Sequence, residues 1–170
     1  MADTARDTVK STVSYTRGEH LENLVLVSPP VRFDEETEMV ILPAPLDGTG
    51  NELDNLLIGS GDDNILSGGD GDDTLWGGQV VDAETGIARS GSDLLLGGSG
   101  NETYLFNVGD GLDTIDDVAT VGEGNRVQFG VGISRTDLTF TEDTAARTLT
   151  IQVGASGADR LVLTNFDPAG

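Results

Sequence analysis

The chain has 170 residues, enough for one domain or one compact module with a real core. Nine basic against 30 acidic residues leave a net charge of -21, which repels nucleic acid and anionic membrane surfaces and leaves cations as the natural charge partners. There is no cysteine for a disulfide or thiolate metal site, and no run of 18 apolar residues to cross a membrane.

The N-terminus, MADTARDTVKSTVSY, has no apolar core of the kind a secretory signal needs. Residues 1–47 read as an N-terminal β block. Within it SPPVRFDEETEMVILPAPLD (28–47) forms an inserted hairpin: VRF and MVIL flank DEETE, and prolines close both ends. His20, the only histidine, stands beside a glycine in a turn and reads as a surface or packing residue, not a general base.

From residue 48 the chain falls into nines: GNELDNLLI (50–58), GSGDDNILS (59–67), GGDGDDTLW (68–76) and, after an interruption, GGSGNETYL (97–105). Position eight holds Leu57, Leu66, Leu75, Leu95 and Tyr104; position six holds Asn55, Asn64, Asp73, Asp93 and Glu102. A weaker row, GDGLDTI (109–115), adds Asp113 and Ile115 to the two columns. So many glycines disfavour a helix by about 1 kcal/mol each and do not suit a long strand.

The period suggests another solution. Three residues of each row form a short strand with one side chain facing inward, and the other six form a turn in which glycine takes positive φ. Two rows complete one coil. Rows 50–58, 68–76 and 97–105 then stack their turns on one edge, and rows 59–67 and 77–96 on the other. One inward apolar residue in nine cannot offset the ordering entropy of the other eight. Half of the acidic residues fall in 48–117, where Arg89 is the only basic one. Stacked carboxylates repel unless a cation lies between them, and a hard cation such as Ca²⁺ takes carboxylate and carbonyl oxygens together. The predicted fold class is therefore all-β: a parallel β-roll over 48–117, with two inserted hairpins and an antiparallel β-cap.

The second hairpin is the insertion QVVDAETGIARS (79–90), whose turn Asp82 to Thr85 matches Asp34 to Thr37 of the first. Two readings stay open for the pair: they cover the sparse core, or they form a surface that recognises carbohydrate or another protein. Trp76, at position nine, points away from the apolar ladder, either under a hairpin or the cap or free to stack on a sugar. In residues 118–170, Val127/Phe129, Leu138/Phe140, Leu149/Ile151/Val153 and Leu161/Leu163 alternate with polar residues, as strands with one buried face do. They read as the cap over the open end of the roll. No H-E-x-x-H or G-x-S-x-G motif occurs, and the chain reads as noncatalytic.

GGDGDDTLW resembles the glycine-rich nonapeptide G-G-x-G-x-D-x-U-x of RTX (haemolysin-type) calcium-binding repeats. DTVKSTVSYTRGEHLENLVLV (7–27) with GTGNELDNLLIGSGDDNIL (48–66) is similar to the block that precedes such repeats, and RVQFGVGISRTDLTF (126–140) to the β-domain that follows them. The resemblance implies a calcium-binding module of a secreted bacterial RTX protein that leaves by type I secretion and folds on meeting Ca²⁺ outside. A larger parent chain, a toxin, adhesin or secreted hydrolase, is expected, and a carbohydrate- or cell-surface-binding module is the alternative. Asp167-Pro168 resembles a bond cut in self-processing RTX modules and reads here as terminal loop. The ligands implied are turn carbonyls and the sixth side chain: Gly69, Gly71 and Asp73 against Gly98, Gly100 and Glu102 on one edge. On the other edge they are Ser60, Asp62 and Asn64 against Gly78, Gly91 and Asp93. Asn55 and Asn64 bring no charge, Leu53 replaces a glycine, and Glu102 is one methylene longer than aspartate.

Overall fold

The computed structural model describes residues 6–30, 32–41, 43–81, 86, 88–118 and 122–166. The expected turn at Asp82–Thr85 and the Asp167-Pro168 bond lie outside them.

The described chain is all β, with one 3₁₀ turn at Arg135–Asp137. It winds between two sheets. The first has six parallel strands, stacked in the order Thr8–Ser11, Asn23–Leu26, Leu56–Ile58, Thr74–Trp76, Thr103–Phe106 and Arg126–Phe129. The second runs Tyr15–Thr16, Gly48–Thr49, Ile65–Asp70, Leu94–Ser99, Leu112–Asp116 and Asp159–Thr164, all parallel. Successive strands alternate between the sheets, so each pair of rows completes one coil. This is the β-roll expected from the period of nine.

Register follows the repeat. Val9, Leu24, Leu57, Leu75, Tyr104 and Val127 are aligned partners in the first sheet. Leu66, Leu95, Ile115 and Leu163 are aligned in the second. Leu24, Leu57, Leu66 and Leu75 are completely buried, because the two columns face each other across a core one side chain deep on either side. At Gly48 the column lacks a side chain for a steric reason: a Cβ would stand 2.9 Å from Leu24 Cδ2 and 3.2 Å from Leu66 Cδ2.

The C-terminal stretch divides between the sheets. Arg126–Phe129 is the last parallel rung of the first sheet, with the Phe106 and Phe129 rings edge to face at 6.4 Å. Asp159–Thr164 continues the second sheet, and only Thr148–Val153 and Leu138–Asp143 pair antiparallel beyond it. Ile151, Val153 and Leu161 close the end of the core. The alternation in 126–166 reports a buried face but cannot tell a parallel rung from an antiparallel one.

Both insertions are two-stranded antiparallel hairpins, Arg32–Asp34 with Met39–Ile41 and Gln79–Val81 with Ala88–Ser90. In the first, Asp34 Oδ1 accepts the Glu36 and Thr37 N–H groups at 2.9 and 3.2 Å, which fixes the turn. Pro43 and Pro45, at the exit of the first hairpin, and Arg89 and Ser90 of the second line one groove of about 520 Å³ over Asp62 and Asp63.

Candidate metal centre

Each turn presents two adjacent polar positions, and the fold uses them in opposite senses. The fifth position reaches forward. Asp54 Oδ1 accepts Asp72 N–H at 3.0 Å, Asp72 Oδ1 accepts Asn101 N–H at 2.9 Å, and Asn101 Oδ1 accepts Gly124 N–H at 2.8 Å. On the other edge Asp63 Oδ1 accepts Ser92 N–H at 2.9 Å. These side chains staple one turn to the next, and the bonds from Asn101 hold the exposed Asp72 carboxyl below its ordinary pKa. Part of the acidic excess is therefore structural.

The sixth position reaches back, and it is buried. Asp73 Oδ1 accepts Asn55 N–H at 2.7 Å, Asp93 Oδ1 accepts Asn64 N–H at 2.7 Å, and Asp113 Oδ1 accepts Asp93 N–H at 3.0 Å. One oxygen of each carboxylate is thereby used. The other oxygens, Asp73 Oδ2, Asp93 Oδ2 and Asp113 Oδ2, are buried without a partner, as are both oxygens of Glu102. Leaving a buried carboxylate unpaired costs several kcal/mol. Burial pushes Asp73 and Glu102 up to about 7, and it also raises Asp93 and Asp113, the charge of Asp93 raising Asp113 further.

Asparagine in the same column behaves differently. Asn55 Oδ1 accepts Asn51 N–H at 2.8 Å while its amide donates to Asn51 Oδ1 at 2.9 Å. Asn64 Oδ1 accepts Ser60 N–H at 2.5 Å and its amide donates to the Leu46 carbonyl at 2.5 Å. An asparagine turn is closed by its own side chain. An aspartate turn is left with an oxygen that needs a proton or a cation.

The glycine turns lie close against these orphaned atoms and against one another's carbonyls. A Cβ on Gly68 would stand 2.1 Å from Asp73 Oδ2 and 2.5 Å from the Gly97 carbonyl oxygen, and one on Gly77 would stand 2.0 Å from Asp93 Oδ2. Gly98 lies over Gly69 with φ at 114°, a left-handed conformation natural to glycine, and its Cβ would come within 1.9 Å of Gly69 O. Gly100 lies in the same way over Gly71, with 2.2 Å to its carbonyl oxygen. The structure thus brings together Gly69, Gly71 and Asp73 with Gly98, Gly100 and Glu102. On the second edge Gly78 lies over Ser60 O at 3.1 Å and Gly91 over Asp62 O at 2.4 Å, again measured from a Cβ position. Asp62 Oδ1 is ion-paired to Arg89 at 2.7 Å, and its Oδ2 is buried without a partner. No three carboxylate or histidine side chains converge on one point among the described residues. A cation here would rest on carbonyls and one or two carboxylates, the mixed oxygen shell that suits Ca²⁺.

A profile described as the RTX calcium-binding nonapeptide repeat (4 copies) matches residues 49–83 and 81–115. The chain carries RTX calcium-binding repeats. The matched segments hold Asp62, Asp73, Asp93, Glu102 and Asp113, each with a buried oxygen that lacks a partner. RTX repeats bind Ca²⁺, and the donors present fit that ion. A comparison with curated proteins gave no match.

Asp113, which the sequence places in the sixth column without a ligand role, buries its Oδ2 unpaired like Asp73 and Asp93. Two features lie beyond the sequence pattern. Arg17 is buried, donates to the Leu21 and Leu56 carbonyls at 3.1 and 2.7 Å, and is pushed down to about 10 by burial; it places a built-in cation at the N-terminal end of the first edge, near Asp73. Trp76 is anchored by buried Asp110, to which its indole N–H donates at 2.9 Å; Asn107 N–H and Gln79 Nε2 bond the same carboxylate. No spacing rule announces either contact.

Proposed function

We propose that this chain is a noncatalytic module whose calcium binding is coupled to its folding, in a bacterial RTX protein that leaves the cell by type I secretion and works outside it. The observation that carries this reading is the set of buried carboxylate oxygens without partners in successive turns. Folding without an ion strands those charges in a poor dielectric, so low cytoplasmic calcium keeps the chain open enough to thread, and extracellular calcium locks it. The metal would be held on the first edge by Gly69, Gly71 and Asp73 with Gly98, Gly100 and Glu102, and on the second by carbonyls at Ser60, Asp62, Gly78 and Gly91 with Asp93. Asn64 closes its own turn and serves as a wall of that second site rather than a charged ligand. When bound, Ca²⁺ supplies positive charge and no chemistry. The noncatalytic reading is supported by the exposed, isolated position of His20 and by the structural use of the acidic columns. Limited proteolysis of the full chain tests the coupling: rapid digestion in chelator and protection in millimolar Ca²⁺ are expected, and equal resistance in both contradicts it.

A second reading, recognition of a protein or carbohydrate by the two hairpins, rests on the groove between the second hairpin and the segment that leaves the first. Deleting residues 79–90 separates it from the first: calcium-linked protection retained with partner binding lost favours recognition. Trp76 contributes little to such a surface, since its indole is half-buried and tied to Asp110.

A further inference from the structure

On the first edge the nonapeptide pattern stops at residue 105, but the stacking continues. In the next turn, between Leu112–Asp116 and Arg126–Phe129, residues 123–125 lie over the turn of Gly97–Glu102. Glu102 N–H donates to Asn125 Oδ1 at 2.8 Å, Gly124 N–H to Asn101 Oδ1 at 2.8 Å, and Gly100 N–H to Glu123 Oε1 at 3.2 Å. Asp117 enters from the start of this turn. Its Oδ2 accepts the Tyr104 O–H at 2.5 Å and the Asn125 amide at 2.7 Å, while its Oδ1 is buried with no partner.

Glu102 meets it there. It is fully buried, and neither of its oxygens has a partner. The position of a Cβ on Gly97 marks how close the groups are: 2.8 Å from Asp117 Oδ2, 2.8 Å from Glu102 Cγ and 2.1 Å from the Tyr104 hydroxyl. After burial, Asp117 is the largest cause of the raised Glu102 pKa. The one ion pair among the described residues, Arg89–Asp62, lies on the other edge.

The extra methylene of Glu102 acquires a reason. Aspartate in this column reaches back to the N–H of the preceding rung, as Asp73 does to Asn55. Glu102 makes no such bond, and both its oxygens are unpartnered; Oε1 stands 3.0 Å from a Cβ position on Gly100, so the longer side chain can serve the first-edge repeat site and the turn that follows together. A buried Glu102 carboxylate beside Asp117, whose Oδ2 is fixed by a phenol and an amide and whose Oδ1 is buried unpaired, calls for a multiply charged cation.

We propose that Glu102 and Asp117 share a divalent cation, Ca²⁺, at a site beyond the repeat pattern, with Glu123 at its rim. The site rests on the calcium-binding reading above but differs from the repeat sites in kind. It draws two carboxylates from two unlike turns, and it ties the last matched repeat to the rung that carries Arg126–Phe129. Tyr104 positions Asp117 and is a donor only, since burial and the bond to Asp117 push its phenol far up.

Calorimetric titration of the full chain with Ca²⁺ tests the site, alongside terbium luminescence excited through tyrosine. Asp117→Asn keeps the acceptor for Tyr104 and removes the charge. It is expected to lower the stoichiometry by one ion, or to weaken one ion roughly tenfold, and to abolish tyrosine-sensitised terbium emission. Asp93→Asn, a repeat-site control on the other edge, is expected to keep that emission. Glu102→Gln serves as the second variant and should reproduce the loss; melting in chelator checks that both variants fold. Undiminished stoichiometry and affinity in Asp117→Asn overturn this site alone; in Glu102→Gln they also count against the first-edge repeat site, which shares that residue. A wild-type chain that takes up no Ca²⁺ overturns the site and the calcium reading together.

Discussion

At the scale of single residues, the choice between asparagine and aspartate in one column decides whether a turn is self-sufficient. Asn55 and Asn64 supply N–H donors and need nothing further, whereas Asp73, Asp93 and Asp113 each bury an oxygen that nothing meets. Asp73→Asn should therefore raise the melting temperature in chelator, by the equivalent of about 1–3 kcal/mol for relief of a buried unsatisfied group. The same variant should shrink the gain from added calcium. A calorimetric melt with and without chelator checks both signs. Gly98→Ala should destabilise in either condition, by more than about 2 kcal/mol, because the methyl meets Gly69 O and the φ of 114° suits only glycine. Denaturant unfolding of that variant measures the loss.

At the scale of elements, the two apolar columns and the turns beside them were legible in the sequence. A period of nine with one leucine per row permits only short strands in register, and Leu57, Leu75 and Tyr104 align as that period requires. The stacked partners Gly69 and Gly98 were legible for the same reason. What the period could not show was the continuation of the first sheet past residue 105, where the nonapeptide row is lost. Arg126–Phe129 joins the parallel sheet, and Asp117 approaches Glu102, through contacts between turns of unlike sequence. Arg17 escaped because its partners are backbone carbonyls, which no motif records.

The edges also carry a pH prediction. In chelator the folded pKa values of Asp73 and Glu102 are near 7, and those of Asp93 and Asp113 are raised as well. The unfolded values are about 4. The folded state then binds more protons than the unfolded one between these limits. Its stability in chelator falls as pH rises from about 4 to about 7. Melting temperature in chelator should be lower at pH 8 than at pH 5. In saturating calcium the ions must displace those protons, so the trend should reverse. Parallel melts at the two pH values test the crossing.

For the whole molecule, the roll is a stack in which each coil touches only its neighbours, with a core one leucine deep on either side. An ion bound between turns acts on two rungs at once, so binding and folding share a single equilibrium. Each site filled at tenfold over its Kd adds roughly 1.4 kcal/mol, and several sites in series convert a marginal chain into an ordered one. The C-terminal strands close one end of the core with Ile151, Val153 and Leu161, and Glu142 and Asp143 on the outermost strand discourage further pairing. The central claim is that calcium supplies cohesion which the apolar ladder lacks. Thermal melting followed by far-ultraviolet circular dichroism, in chelator and in millimolar calcium, tests it most directly. A melting temperature higher by tens of degrees in calcium, or no cooperative transition at all in chelator, is the predicted result. The same cooperative melt at the same temperature in both solutions would contradict it.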